Sequence, residues 1–178
     1  HRHFECEAAV QVHLAVGMPA NERMDWLVEK ATELGVHRIT PLMTERSVVR
    51  LAGERAEKKQ AHWQAVAASA SEQCGRNRVP IIDAPERFDA WLARQTPQAE
   101  VVHGVLSLHA STQPLNALRD GAAVRPKAWV LLNGPEGGLT DTEDAAARAK
   151  GFAALSLGER VLRAETAALG ALALLTLA

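Results

Sequence analysis

The sequence predicts an α/β protein with a mostly parallel sheet and helices on both of its faces. Short apolar segments alternate along the chain with segments whose apolar residues recur at helical spacing, and helices are the usual right-handed connections between parallel strands. The length of 178 residues and the hydrophobic fraction of 47% suit one domain with a sizeable core. Because no internal repeat or low-complexity linker interrupts the alternation, we expect one domain over residues 1–178.

The alternation begins with the segment AVQVHLAVG, whose alternate residues from Val10 to Val16 lie on one side of a strand. Apolar residues then recur at helical spacing in NERMDWLVEKATELG. Asn21 is the candidate N-cap of this helix and Gly35 the residue that ends it. The segment HRITPLM predicts a second strand.

A long helix is expected from about Glu54 to Cys74, with Trp63 turned inward and Gly75 at its end. The segment VPII follows as a strand and FDAWLAR as a short helix. The tryptophans at 26, 63 and 91 fall on apolar helical faces, so we expect them in the core rather than as stacking platforms for bases.

The second half of the chain continues the alternation with the strands EVVHGVLSL, KAWVLL and FAALSL. A helical turn is expected in PLNALRD, between the first two of these strands. Thr140 and Glu143 form a capping-box pattern for the helix that follows KAWVLL. The last helix is expected from about Arg163 to the end of the chain.

Charge does not by itself identify a nucleic-acid partner, because the formal net charge is −1 and proteins that bind the phosphate backbone usually carry a surplus of Lys and Arg. Basic residues nevertheless cluster between positions 38 and 59, and two more follow at Arg76 and Arg78. A solvated surface and an RNA-facing patch explain this cluster equally well. On the second interpretation Arg46, Arg76 and Arg78 are the candidates for RNA contacts.

Membrane, disulfide and metal classes are all disfavoured by the sequence. The apolar run 167–178 is shorter than the roughly 20 residues that span a bilayer. Cys6 and Cys74 are far apart, so a reducing, cytoplasmic location is expected. The histidines show no ligand spacing apart from the terminal His1 and His3, so no metal is expected.

The segment NGPEGGL, residues 133–139, is the first loop with the character of a binding site. Gly134, Gly137 and Gly138 permit positive φ and let a ligand approach the backbone closely. A tight turn between a strand and a helix is the simpler interpretation. The spacing matches neither the phosphate-binding loop nor the dinucleotide fingerprint, so a ligand with little phosphate, such as a nucleoside, fits the loop better.

The segment LGERVLRAETAALGAL is the second such loop, placed between the last strand and the last helix. It combines Gly158 with Arg160, Arg163 and Glu165. A solvated helix cap would use the same residues. Their position beside another glycine-rich loop favours a site.

Together the two loops resemble the closing motifs of the SPOUT class of methyltransferases, and most closely the RsmE family. The resemblance rests on GPEGG at 134–138, LGERVLRAETA at 157–167, EKATELGVHRITPLMTERSVV from Glu29 and EQCGRNRVP from Glu72. Members of that family use S-adenosylmethionine to methylate N3 of one uridine in 16S ribosomal RNA of the small ribosomal subunit. The resemblance implies this activity, S-adenosylhomocysteine as product, a C-terminal trefoil knot that holds the cofactor, and a homodimer.

For that reaction, Arg163 would stabilise the developing uracil anion by a charge-assisted hydrogen bond, and Glu165 or Glu136 would accept the N3 proton. The resemblance itself assigns residues to the cofactor. The residues assigned to the cofactor are Leu108, Gly134, Glu136, Gly137, Leu157, Gly158, Leu162 and Arg163.

The sequence departs from the family pattern at Asn133, where an aliphatic residue is usual, at Leu139, where Phe is common, and at Ala164, where Thr is common. The family's N-terminal PUA-like β-barrel, which helps bind RNA, is expected to be absent from this chain. Two alternatives stay open. One is a SPOUT enzyme that methylates a ribose 2′-hydroxyl of tRNA or rRNA, and the other is a catalytically silent RNA-binding or assembly protein with the same fold.

Overall fold

One parallel sheet forms the framework of the protein. The structure, a computed structural model, describes residues 5–20, 22–109, 111–122 and 126–177. Every strand pair among these residues is parallel. The strands are β1 (Gln11–Gly17), β2 (Arg38–Met43), β3 (Ile81–Ile82), β4 (Glu86–Arg87), β5 (Val101–Leu106), β6 (Gln113–Pro114), β7 (Ala128–Asn133) and β8 (Ala153–Ser156).

Helices lie between many of these strands and after the last one. They are α1 (Arg23–Glu33), α2 (Gly53–Cys74), α3 (Phe88–Ala93), α4 (Leu115–Gly121), α5 (Asp141–Ala149) and α6 (Ala164–Thr176). The strand order is β3-β2-β1-β7-β5-β8-β6, and β4 also pairs with β2. Strand β1 therefore lies inside the sheet, where Leu14 is in register with Ile39 of β2 and Leu131 of β7.

The sheet has an apolar core on each face. On one face Leu14 packs with residues of α1, α2 and α6, among them Trp63 and Leu172. On the other face Ala15 packs with residues of α3 and α5, among them Trp91. Neighbouring strand residues point to opposite faces, so both faces of β1 must be apolar, and this explains why its sequence is apolar almost throughout.

The predicted alternation of strands and helices is confirmed, and the capping box of α5 is present as Thr140 and Glu143. Gly35 adopts positive φ just after α1, as its predicted role requires. Asn21 lies outside the described residues. The expectation for Trp26 is wrong, because this side chain is 47% exposed on the outer side of α1.

Because the strands run parallel, their carboxyl ends meet at one edge of the sheet, which we call the carboxyl edge. The loops that follow β5, β7 and β8 lie there. No helix formed by the described residues is long and apolar enough to cross a bilayer. Within the same residues, no group of three or more His, Cys, Asp or Glu side chains is arranged to hold a metal ion.

Candidate functional site

A cavity of about 380 Å³ opens at the carboxyl edge, between the loops that follow β5, β7 and β8. Both loops singled out in the sequence contribute to its wall. Apolar walls come from Leu106, Leu155 and Leu157. Of the residues predicted to hold a cofactor, those that line this cavity are Leu108, Gly134, Glu136, Gly137, Leu157, Gly158 and Leu162.

The loop 134–138 follows a path that requires glycine at its first position. A Cβ on Gly134 would lie 2.6 Å from the backbone nitrogen of Leu139 and 2.7 Å from the carbonyl carbon of Gly138. Gly138 has a φ of +72°, in the left-handed region that favours glycine. The neighbouring strand is equally close, since a Cβ on Gly17 would lie 2.5 Å from the ring of Pro135. The loop is therefore folded tightly on itself and against the end of β1.

Glu136 holds this loop to the start of α1. One of its carboxylate oxygens accepts a hydrogen bond from the Ala20 N–H at 2.9 Å and another from the Arg23 guanidinium at 3.1 Å. Burial alone would raise the pKa of Glu136, but these hydrogen bonds and the charge of Arg23 lower it below its usual range. A carboxylate with a lowered pKa is a weak base, so Glu136 supports the loop and is a poor candidate for the proton acceptor.

Arg46, a candidate for RNA contacts, lies against the same loop. Its guanidinium donates to the carbonyl oxygens of Gly137 at 2.8 Å and Leu139 at 3.4 Å. A Cβ on Gly137 would lie 3.3 Å from the Arg46 side chain, so the absence of a side chain there makes room for the arginine. Arg46 also lines the cavity and stays exposed. The sequence did not reveal that it supports the loop.

The helix after the loop is anchored by the capping box. The Thr140 hydroxyl accepts from the Glu143 N–H at 3.2 Å, and the Glu143 carboxylate accepts from the Thr140 N–H at 3.0 Å. The other oxygen of Glu143 accepts from the Glu45 N–H at 2.8 Å. Glu143 thus ties the loop that carries Arg46 to the start of α5.

Arg163 and Glu165, the predicted catalytic pair, lie at the start of α6 but not on the cavity wall. Arg163 is the N-cap residue and is exposed, while its neighbours Leu162 and Ala164 line the cavity. Glu165 is only 7% exposed, and its Oε2 has no hydrogen-bond partner among the described residues. A buried carboxylate oxygen without a partner is costly, so this position is a candidate for function rather than for stability.

Arg76 does not have the surface position that RNA binding requires, and this corrects its prediction. Only 5% of its side chain is exposed, and its guanidinium pairs with Glu7 at 2.6 Å. It also donates to the carbonyl oxygens of Thr32 and Val36. These partners occupy the group that would contact a phosphate. Arg76 instead joins the first described residues to the end of α1.

Arg78 is exposed, but it lies far from the cavity along the strand direction. It precedes β3, so it is at the edge where the parallel strands begin. Arg46 follows β2 and is at the carboxyl edge. The three predicted RNA contacts therefore do not form one patch.

A second, polar cavity of about 490 Å³ lies near the edge where the strands begin. Its wall includes a hydrogen-bonded chain in which His13 pairs with the Thr40 hydroxyl at 2.7 Å. Thr40 in turn donates to Asp83, and Asp83 pairs with Arg38 at 2.7 Å. Burial lowers the pKa of His13 to about 4, although the charge of Asp83 acts in the opposite direction.

Asn133 is the residue of the first cavity that sequence reasoning undervalued. It is the last residue of β7 and is only 7% exposed, and its Nδ2 donates to the carbonyl oxygen of Ala164 at 2.7 Å. Both residues line the cavity. Asn133 and Ala164 are two of the positions at which the sequence departs from the family pattern, and the structure places them in contact. Those departures were the one signal in the sequence that pointed to Asn133.

Comparison with known proteins gives consistent results over nearly the whole chain. A family model described as an RNA methyltransferase domain matches residues 6–176. Ribosomal RNA small subunit methyltransferase E of Bacillus subtilis is 36% identical over 169 residues, which are 93% of this chain and 65% of that protein. The protein of the same name from Synechocystis sp. is 36% identical over 173 residues, which are 94% of this chain and 53% of that protein.

A solved structure of a protein with the same name is similar to this chain in both sequence and fold. The crystal structure of a ribosomal RNA small subunit methyltransferase E from Neisseria gonorrhoeae bound to S-adenosyl methionine is 36% identical, with a TM-score of 0.83. The match covers 96% of this chain and 68% of that one. Thus the chain spans between about half and two thirds of the length of the relatives it matches.

Proposed function

This chain belongs to the RNA methyltransferase domain family of ribosomal RNA small subunit methyltransferase E, and on that premise we propose that it methylates 16S ribosomal RNA at N3 of a uridine with S-adenosylmethionine. The observation that carries the proposal is the cavity at the carboxyl edge, which the GPEGG loop and the loop after β8 enclose together. In open parallel sheets, ligands bind at this edge.

The cavity suits a nucleoside ligand without phosphate. Its volume of about 380 Å³ falls within the usual range for small-molecule sites. At Gly138, on the cavity wall, nothing lies within 4 Å of the position of a Cβ, so backbone groups there are open to a ligand, and leucine side chains offer apolar walls. The described wall contains no lysine for a phosphate group, and of its two arginines, Arg46 and Arg160, the first donates to the carbonyl oxygens of Gly137 and Leu139. When bound, S-adenosylmethionine supplies a methyl group that its sulfonium already activates.

The chain itself then has to position the uridine and handle its N3 proton. Holding the base in line with the methyl donor accounts for much of the expected acceleration. Arg163 is exposed beside the mouth of the cavity, where a charge-assisted hydrogen bond can stabilise a developing uracil anion. Glu165 is the proton acceptor in this proposal. Since Glu165 does not line the cavity, this role requires the loop 157–163 to move when RNA binds.

The homodimer remains part of the proposal. Two large apolar side chains beside the cavity are strongly exposed, Leu108 at 79% and Val161 at 77%. Leu174 and Leu177 are exposed at the end of α6. Pairing of two copies through these surfaces would cover apolar area next to the cofactor site.

We also retain the trefoil knot and a cytoplasmic location in the proposal. The knot is supported by the position of the last helix, because α6 follows β8 in the chain and contacts β7, β1 and α1 on the other side of β5. The hydrogen bond from Asn133 to Ala164 marks the point where the chain passes the end of β7. A ribosomal RNA substrate would place the protein in the cytoplasm.

Calorimetric titration with S-adenosylmethionine and S-adenosylhomocysteine tests the cofactor, with ATP as the phosphate-bearing control. Saturable binding of the first two ligands and none of ATP is expected. Methyl transfer to small ribosomal subunits that lack the modification is then measured, and the product nucleoside is identified by mass spectrometry. N3-methyluridine supports the proposal, and a 2′-O-methyl nucleoside would replace it with the ribose enzyme. RNA binding without cofactor binding would favour the silent RNA-binding protein.

The variant Arg163→Ala separates binding from catalysis. We expect it to bind S-adenosylmethionine nearly as tightly as wild type, because Arg163 does not line the cavity, and to transfer methyl groups much more slowly. Arg78→Ala is the matched control, since this exposed arginine lies away from the cavity. Equal turnover in the two variants would contradict the role of Arg163.

A further inference from the structure

The side chain of Asn133 connects two walls of the carboxyl-edge cavity. Its Nδ2 donates to the carbonyl oxygen of Ala164 at 2.7 Å, across 31 residues of sequence. Asn133 ends β7 and leads into the glycine loop, whereas Ala164 begins α6 and follows the second loop. One hydrogen bond therefore links an end of each of the two loops that enclose the cavity.

The orientation of this amide is fixed by its partner. The Ala164 group is a carbonyl oxygen, which only accepts, so the amide nitrogen of Asn133 must face it. The carboxamide oxygen then points elsewhere, and it has no hydrogen-bond partner among the described side chains and backbone groups. Among the residues that the structure describes, the buried side-chain atoms without a hydrogen-bond partner are Arg76 Nε and Glu165 Oε2, so the Asn133 oxygen is not sealed from solvent. Since Asn133 lines the cavity, this oxygen is an acceptor that the cavity can offer to a ligand.

A buried amide in this position costs free energy unless its groups are paired. Asn133 is flanked by Leu132, which is fully buried, and an apolar side chain could fill the same volume. Unlike an apolar side chain, the amide forms a hydrogen bond to the first residue of α6. The backbone N–H of Ala167 donates to the Arg163 carbonyl at 2.8 Å, so the restraint at Ala164 falls inside the first turn of the helix.

We propose that Asn133 is a positioning residue of the cofactor site, which holds the start of α6 at a fixed spacing from the glycine loop and so keeps the cavity open to S-adenosylmethionine. This role rests on the proposed function. Asn133 acts through the two loops, so we expect the affinity for the ligand to fall when the amide nitrogen that donates to Ala164 is removed.

Asn133→Asp removes that donor with almost no change in shape. When the introduced carboxyl group is ionised, it places an oxygen against the Ala164 carbonyl, and the two repel. When it is protonated, its O–H restores the bond, and burial favours the protonated form. We therefore expect the variant to bind S-adenosylhomocysteine about tenfold more weakly than wild type at pH 8 and to approach wild-type affinity at pH 5.5. This ligand lacks the sulfonium charge, so attraction to the new carboxylate does not mask the effect.

Asn133→Val is the matched control, because it has a similar volume and cannot form the bond at any pH. Its affinity loss should be the same at both pH values. Thermal unfolding of each variant establishes that the fold is intact, and if the aspartate variant does not fold, the valine variant carries the test through its affinity alone.

The outcomes separate this role from the proposed function. Wild-type affinity in a folded Asn133→Val variant, or an aspartate variant whose loss does not recover at pH 5.5, would overturn the role of Asn133 while the cofactor assignment stands. Wild-type protein that binds neither S-adenosylmethionine nor S-adenosylhomocysteine would overturn the proposed function and this role with it.

Discussion

Replacing Gly134 by alanine tests the geometry of the glycine loop most directly. The added Cβ would lie 2.6 Å from the Leu139 nitrogen, 2.7 Å from the Gly138 carbonyl carbon and 2.9 Å from the Gly138 Cα. All three are backbone atoms, which cannot rotate away as the end of a flexible side chain would. Contacts shorter than 3.0 Å essentially never occur for a real Cβ, so the loop must open.

The cost of this opening sets the expected size of the effect. Overpacking of this kind costs about 1–3 kcal/mol. If the loop relieves the strain by opening in the free protein, ligand binding must restore the closed geometry and bear the same cost. The dissociation constant for S-adenosylmethionine should then rise by a factor of about 5 to 150.

Calorimetric titration of Gly134→Ala with S-adenosylmethionine measures this factor, and circular dichroism establishes that the variant is folded. Gly121→Ala is the matched control, because a Cβ at Gly121 in α4 meets nothing within 4 Å, and its affinity should equal that of wild type. A folded Gly134→Ala variant that binds within about twofold of wild type would refute the reasoning, since the predicted weakening is larger than that. The affinity for S-adenosylmethionine would then not depend on the closed path of the loop.

Three further predictions concern stability. Arg76→Ala should lower the free energy of unfolding in urea by about 3–5 kcal/mol, because it leaves the Glu7 carboxylate without its buried partner; a stable variant with weakened RNA binding would instead restore the original RNA prediction. Since the pKa of His13 is lowered to about 4, the folded protein binds its proton less readily than the unfolded chain, and stability should fall by up to roughly 3 kcal/mol as the pH drops from 6.5 to 4. The His13→Gln variant should show a shallower pH dependence in the same urea titrations, and an unchanged slope would count against this origin. Thr140→Ala should lose about 0.5–2 kcal/mol in thermal unfolding because it removes the hydroxyl that accepts from Glu143, whereas Thr140→Ser should retain most of the stability.

The regular elements were predictable because their patterns are local. The long helix was expected from about Glu54 to Cys74 and extends over Gly53–Cys74. Strands β4 and β6 were not predicted, since two residues are too few for a period. The error at Trp26 was avoidable. The buried residues of α1 at 24, 27, 28 and 31 form one stripe. Successive helix residues are rotated by about 100°, which places position 26 outside that stripe.

The walls of the cavity were predictable because each loop carries its own motif and both follow strands of one parallel sheet. The bonds that hold those walls together were not. Glu136 meets Ala20 across 116 residues of sequence, and Asn133 meets Ala164 across 31. Nothing in the spacing of the chain indicates such pairs. They depend on which strands are neighbours, and a sequence pattern leaves that order open.

The basic residues on either side of α2 show that a long helix can separate arginines that the sequence suggested as one RNA-binding group. Arg46 precedes α2 and Arg76 follows it, and the 22 residues of this helix extend about 33 Å. A helix that connects parallel strands carries the chain from the carboxyl edge back to the opposite edge, so the two arginines must lie at opposite ends of the sheet. The length of the predicted helix already contained this information. Arg46 and Arg163 share the carboxyl edge, so under the proposed function an RNA that reached the cavity would meet both, and Arg78 would contact it only if the RNA also wrapped around the sheet to the edge where the strands begin.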